Sequence, residues 1–130
     1  MARAAPGYVL AFDFGLRHIG VAAGQTVTAT ASPVTTLRAR NGNPGWDEVA
    51  LLVDHWKPHR LLVGLPLNMD DTESEMSERA RGFAAILERR TSIPTELVDE
   101  RLTTREATHA GGGHALAAVL IAETWLNAQR

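Results

Sequence analysis

The chain has 130 residues, 45% of them hydrophobic, which is enough for one core of ordinary domain size, and no cysteine, which excludes a disulfide framework and a thiolate metal site. Thirteen basic residues against fifteen acids give a formal net charge of −2 and a pI near 6.2, excluding a generally basic nucleic-acid coat while leaving room for a local patch. No secretion-type leader opens the sequence, and apolar runs such as Leu116–Ile121 fall far short of the roughly 20 residues of a membrane span, so a single cytoplasmic domain over residues 1–130, with no membrane partner, is expected.

After a short tail, Met1–Pro6, the segment Tyr8–Phe14 reads as an apolar strand and Gly15-Leu16-Arg17 as a tight turn. Ile19–Ala23 and Val27–Leu37 supply further β-prone sequence, so the chain opens as an antiparallel set of two or three strands. From Asn43 the period changes. Trp46, Val49, Val53 and Trp56 recur at helical spacing, with Asn43 a candidate cap and Pro44 a candidate first helical residue. Arg60–Leu65 is a short strand closed by Pro66, and 67–71 a polar loop. Thr72 and Glu75 have capping-box spacing before a second helix whose apolar face holds Met76, Ala80, Phe83, Ala84 and Leu87. Pro94–Val98 is the next strand. Thr103 and Glu106 repeat the capping-box spacing, which predicts a third helix, and Gly111-Gly112-Gly113 separates it from a fourth, apolar helix over about His114–Asn127. The fold class is therefore α/β, a mixed sheet of about five strands flanked by helices. In such sheets functional groups gather at the carboxyl ends of the parallel strands, and Asp13, Asn68 and Asp99-Glu100 all fall near strand ends.

Asp13 is the most informative residue. Val9, Leu10, Ala11, Phe12 and Phe14 surround it with apolar neighbours, and a charge buried there needs a cation or an arginine beside it. A carboxylate that merely ends a strand and bonds the following turn would look the same. Asp99-Glu100-Arg101 places two adjacent carboxylates at another strand end, and because neighbouring strand residues point to opposite sides, only one can face Asp13. Either could ligate a metal while the other orients Arg101 or a loop; alone, the tripeptide also fits an exposed acidic turn. Hard divalent ions such as Mg²⁺ and Mn²⁺ take oxygen ligands of this kind and suit phosphodiester hydrolysis.

Three motifs stand in order: Ala11-Phe12-Asp13-Phe14-Gly15 with Ile19-Gly20-Val21-Ala22; then Val63-Gly64-Leu65-Pro66-Leu67-Asn68-Met69-Asp70; then Asp99-Glu100-Arg101-Leu102-Thr103-Thr104-Arg105-Glu106-Ala107. Together they resemble the YqgF/RuvX family from about Val9 to Leu126. The resemblance implies an RNase H-like fold, kinship with Holliday junction resolvases, and the family's proposed role as a nuclease maturing the 5′ end of pre-16S ribosomal RNA in the bacterial cytoplasm. It implies catalytic and metal-binding roles for Asp13 and the acidic motif, with Glu100 the metal-facing member and Asp99 a further candidate ligand. The family's third acidic position, an aspartate followed by serine at the start of the last helix, corresponds here to His114-Ala115, and the segment 108–113 before it is short.

A neutral histidine can ligate Mn²⁺ or act as a general base, so His114 shifts the expected cofactor from Mg²⁺ toward Mn²⁺. A helix-start histidine without a catalytic task is the plainer alternative. Arg17, Asn68, Arg101 and Arg105 are candidate substrate contacts, as is His18, while His55, His59 and His109 have surface or packing roles. Trp46, Trp56 and Trp125 fit a core better than base-stacking platforms. The expected partner is nucleic acid, pre-ribosomal RNA or single-stranded or branched DNA, bound by a monomer or a homodimer. Two other readings remain open at this level: a non-catalytic RNA-binding assembly factor, and an ATP-binding protein suggested by Asp13-Phe14-Gly15 with Gly20, which would need two such domains.

Overall fold

The computed structural model describes residues 7–102 and 113–129. Six strands form one sheet: β1 (Tyr8–Asp13), β2 (His18–Gln25), β3 (Thr30–Arg40), β4 (Asn43–Pro44), β5 (Arg60–Leu65) and β6 (Thr95–Asp99), in the order β4-β3-β2-β1-β5-β6. β1, β2, β3 and β4 pair antiparallel in succession, whereas β5 and β6 run parallel to β1, so the sheet is mixed. Its helices are α1 (Trp46–Trp56), α2 (Glu75–Thr91) and α3 (Gly113–Ala128), and a single 3₁₀ turn, Glu100–Leu102, follows β6 directly.

Strand alternation sorts the core into two layers. Leu10 and Phe12 of β1, Ile19 and Val21 of β2, and Leu61 and Val63 of β5 point toward Val49 of α1 and Phe83 and Leu87 of α2. The intervening residues Val9, Ala11, Ala22, Leu62 and Val98 point the other way, onto Ala118, Ile121, Ala122 and Trp125 of α3. Helices thus cover both faces, which is why β1 and β5 read as almost continuous apolar runs rather than as alternation.

The structure corrects three local expectations. Asn43 and Pro44 do not open α1; they form the two-residue strand β4 on Arg40 and Ala39, and α1 starts after Gly45 without a side-chain cap. The register that Leu37 and Ala39 need for burial extends β3 to Arg40, and the pairing continues through the turn at Asn41-Gly42, both at positive φ. Nor do Thr72 and Glu75 form the capping box of α2. Thr72 is taken up by the loop, its amide and hydroxyl both donating to Asp70 Oδ1, and the reciprocal cap is Ser74 with Ser77. The strand expected over Val27–Leu37 begins later, at Thr30. The third helix expected from Thr103, and with it Arg105 and His109, lies outside the described residues. Among those residues, no helix is long and apolar enough to cross a membrane.

Candidate active site

Asp13 is the last residue of β1 and lies on the α3 side of the sheet, in line with Val9 and Ala11. Its antiparallel neighbour is Gly20, and on its other flank β5 places Gly64 one step beyond the Phe12–Val63 pairing. Glu100 follows Val98 at the same alternation and reaches the same side, where its carboxyl group hydrogen-bonds that of Asp13. His114, in the first turn of α3, closes the site from above, with Nδ1 3.9 Å from Asp13 Oδ2. Its ring stacks on that of His18 at a centroid distance of 5.1 Å.

Two glycines make this convergence possible. A β-carbon on Gly20 would collide with the His114 carbonyl and the Ala115 amide, so the bare strand lets the start of α3 settle against β2 beside Asp13. A β-carbon on Gly64 would stand 2.8 Å from Glu100 Cγ and 2.6 Å from Ile121 Cδ1, so it would evict the Glu100 side chain from the space between β1 and β6. Glycine inside an apolar strand is a recognised sign of close approach, and that sign was available at both positions.

Electrostatically, Asp13 is the strained group. Its side chain is only 20% exposed, and burial raises its carboxyl above the ordinary value of 3.8; the Glu100 hydrogen bond, and then the charge of a protonated His114, pull it partly back. Two carboxyl groups in hydrogen-bond contact must share a proton or hold a cation between them. Asp99 faces the other way and is already neutralised. Arg101 Nε and Nη2 donate to both of its oxygens at 2.8–3.2 Å, holding the Asp99 carboxyl below its usual range.

The same arginine donates to the Asn68 carbonyl and to Asp71 Oδ1, and its guanidinium is held firmly charged by Asp99 and Asp71. Arg101 therefore staples the 66–74 loop to the end of β6. Asn68 belongs to that staple as well, donating from Nδ2 to Thr72 Oγ1. Arg17 is exposed beside Asp13's strand end, with its carbonyl accepting from Ala39. The site thus gathers Asp13, Glu100, His114 and His18, keeps Arg17 at its edge, and leaves Asp99, Asn68 and Arg101 as the scaffold next to it.

The donor set of two carboxylates and an imidazole suits a hard or borderline divalent ion. Among the described residues, no three His, Asp or Glu side chains are grouped closely enough to enclose a metal by themselves. The fit is that of the Asp13–Glu100 pair, with His114 Nδ1 3.9 Å from Asp13 Oδ2.

Comparison with known proteins adds the following. Over residues 7–128 the chain matches the family model described as RuvX: Holliday junction resolvase. It is 50% identical over 133 aligned positions to a Marinobacter nauticus protein named "Putative pre-16S rRNA nuclease", covering 93% of each chain. A Nitrosococcus oceani protein of the same name is 46% identical, with 96% of this chain and 90% of the relative covered. In fold it is similar to T. thermophilus RuvC, solved in complex with a Holliday junction substrate, with a TM-score of 0.59 over 94% of both chains at 13% identity. The six-stranded mixed sheet is accordingly of the RNase H-like type, and the chain belongs to the RuvX family of Holliday junction resolvase-like proteins.

Proposed function

We propose that this chain is a divalent-metal-dependent nuclease that hydrolyses phosphodiester bonds in the cytoplasm, with the 5′ end of pre-16S ribosomal RNA as its substrate and single-stranded or branched DNA as secondary ones. One observation carries the reading. The largely buried Asp13 carboxyl and Glu100 meet at the carboxyl ends of two parallel strands, across the space that Gly64 leaves open. Names carried by relatives supply the RNA; the geometry supports the chemistry.

In this reading Asp13 and Glu100 hold the cation, whose charge would offset the burial that raises Asp13's pKa. The bound ion supplies activation of water and neutralises charge at the scissile phosphate. His114 sits 3.9 Å from Asp13, where its imidazole can accept a proton from the attacking water or add a nitrogen ligand. A nitrogen donor favours Mn²⁺ over Mg²⁺. Asp99 and Arg101 keep the loop and the 3₁₀ turn in place so that Glu100 faces inward, and Arg17 offers a phosphate contact at the edge.

A second reading, a weakly catalytic RNA-binding assembly factor, draws support from the imidazole that stands where a third carboxylate would complete the site. Cleavage assays with Mn²⁺ and with Mg²⁺ on single-stranded RNA, single-stranded DNA and a four-way junction separate the two. We expect cleavage, faster with Mn²⁺, falling at least about 100-fold in Asp13→Asn, the scale of losing a catalytic group. Wild-type protein that cuts none of these substrates would leave the assembly factor standing, as would cleavage that survives Asp13→Asn.

A further inference from the structure

The fifteen acidic residues leave several gaps along the chain, and one of these is much the longest. From Phe14 to Trp46 there is none, and the charged side chains in that stretch are Arg17, Arg38 and Arg40, joined by His18. A chain with a net charge of −2 therefore carries a purely basic segment, and that segment is the β2–β3–β4 half of the sheet.

Register places these groups on one line. Arg38 lies directly opposite His18, and Leu37 and Ala39 point into the α1–α2 core, so Arg38 and Arg40 project from the α3 side of the sheet, the side that holds Asp13. Two residues apart on one strand, they are separated by about 6.6 Å. α3 begins at the level of Gly20, so Arg38 and Arg40 extend beyond its start, and both are exposed. A continuous path results: Asp13 faces His114, His114 stacks on His18, His18 neighbours Arg38, and Arg40 follows.

The pairing pattern of the other cations sets this group apart. Arg60 pairs with Glu96, Arg79 with Glu75, Arg81 with Glu73, Arg101 with Asp99 and Asp71, and Lys57 with Asp54, while Arg90 lies over the Trp46 ring. Among the described residues Arg17, Arg38, Arg40 and Arg89 have no carboxylate partner; the first three lie together on the β2–β3 side of the site, whereas Arg89 stands in the last turn of α2. Arginines left unpaired in line, beside a pair of carboxylates suited to phosphodiester chemistry, match a backbone that carries one negative charge per nucleotide.

We propose that Arg38 and Arg40, with Arg17 and His18 at the inner end, form a phosphate-binding track along β3 that leads a nucleic-acid strand to the Asp13–Glu100 pair. The track rests on the nuclease reading, but it makes its own prediction about binding. Each phosphate contact on a single strand contributes about 0.7 to the slope of log affinity against log salt. Removing two should flatten the slope by about 1.4, so that Arg38→Gln/Arg40→Gln and wild type, equal at 1 M salt, differ by roughly 25-fold at 0.1 M.

The experiment is fluorescence anisotropy of a labelled single-stranded RNA in EDTA across a salt series, repeated with single-stranded DNA and a four-way junction. Arg38→Lys/Arg40→Lys should restore most of the affinity, because a phosphate accepts a point charge. Lys57→Gln/Arg89→Gln, which removes the same charge from α2 and the end of α1, should bind like wild type. An Arg38→Gln/Arg40→Gln protein with unchanged slope and affinity overturns the track, as does an equal loss in the Lys57→Gln/Arg89→Gln control. If wild type cuts RNA while the track variant binds normally, the track alone fails; if wild type neither binds nor cuts any of the three, the nuclease reading fails with it.

Discussion

Asp13 and Asp99 end two strands of the same sheet, separated only by β5, yet their surroundings displace their protonation in opposite directions. Asp13 is raised by burial. Its folded form holds the proton more tightly than the unfolded chain does, so its ionisation destabilises the metal-free protein, and stability falls as pH climbs from 3.8 through the raised value. Asp99 is lowered, chiefly by hydrogen bonds from Arg101; its contribution is fully present above 3.8 and disappears as pH drops through the depressed value. Thermal melts in EDTA across pH should therefore separate two isosteric variants. Asp13→Asn should melt above wild type near neutral pH, with the gap narrowing as pH falls toward 3.8. Asp99→Asn should melt below wild type near neutral pH and converge on it in acid. An Asp13→Asn gap that is constant with pH would show that desolvation of its charge is not what the site stores. This contrast was half legible in the sequence. Adjacent strand residues face opposite ways, which is enough to say that one carboxylate meets Asp13 and the other does not. That Arg101 is held by Asp99 at the end of β6 depended also on Asp71 and the Asn68 carbonyl, thirty or more residues away in the chain, which no local pattern reveals.

At the level of the element, the site depends on how closely α3 and the 3₁₀ turn approach the sheet, and Gly20 and Gly64 set that approach. Gly64→Ala inserts a methyl group between Glu100 and Ile121 and should cost about 1–3 kcal/mol, the usual range for overpacking. Its effect on function should be larger than that figure suggests. The easiest relief is rotation of Glu100 away from Asp13, so cleavage and cation binding should fall by an order of magnitude or more while the protein still folds. Calorimetric titration with Mn²⁺ beside a denaturant melt checks both halves. Retained Mn²⁺ affinity together with reduced stability would mean that Ile121, not Glu100, gives way. Element types were readable from periodicity because burial on two faces leaves a strong apolar signature, whereas element ends were not. Asn43-Pro44 and Thr72-x-x-Glu75 are sound cap signals locally, but the first pair was claimed by β3 and the second by the Asp70–Thr72 turn. The actual cap, Ser74 with Ser77, lacks the glutamate or glutamine that marks a capping box in a sequence.

Taken as a whole, the molecule assembles its site from parts that only packing brings together: the end of β1, the turn after β6 and the first turn of α3. Motif order allowed these to be named together from sequence, but their meeting is a consequence of the second core layer, in which α3 lies across β2, β1 and β5. Trp125 anchors the far end of that helix. It is 8% exposed, and its indole N–H donates to Glu96 Oε1 at 3.2 Å while Glu96 Oε2 accepts from Arg60 at 2.7 Å. Trp125→Ala should cost about 3–5 kcal/mol, the range for deleting a buried large aromatic and a sizeable share of the roughly 5–15 kcal/mol that a domain possesses. The half-buried Arg60–Glu96 pair would persist on its own, so Trp125→Phe, which keeps most of the volume, should lose only about 1 kcal/mol, the worth of one hydrogen bond. Activity discriminates this from a chemical defect. In Asp13→Asn, cleavage should fall at least about 100-fold with no loss of thermal stability; in Trp125→Ala, both should decline together, because loosening α3 at Trp125 releases His114 from Asp13 at the other end of the same helix. Cleavage and circular dichroism followed over one temperature ramp should then fall in a single transition for Trp125→Ala. A variant whose activity is lost well below its unfolding transition would show instead that the first turn of α3 moves independently of the layer that carries it.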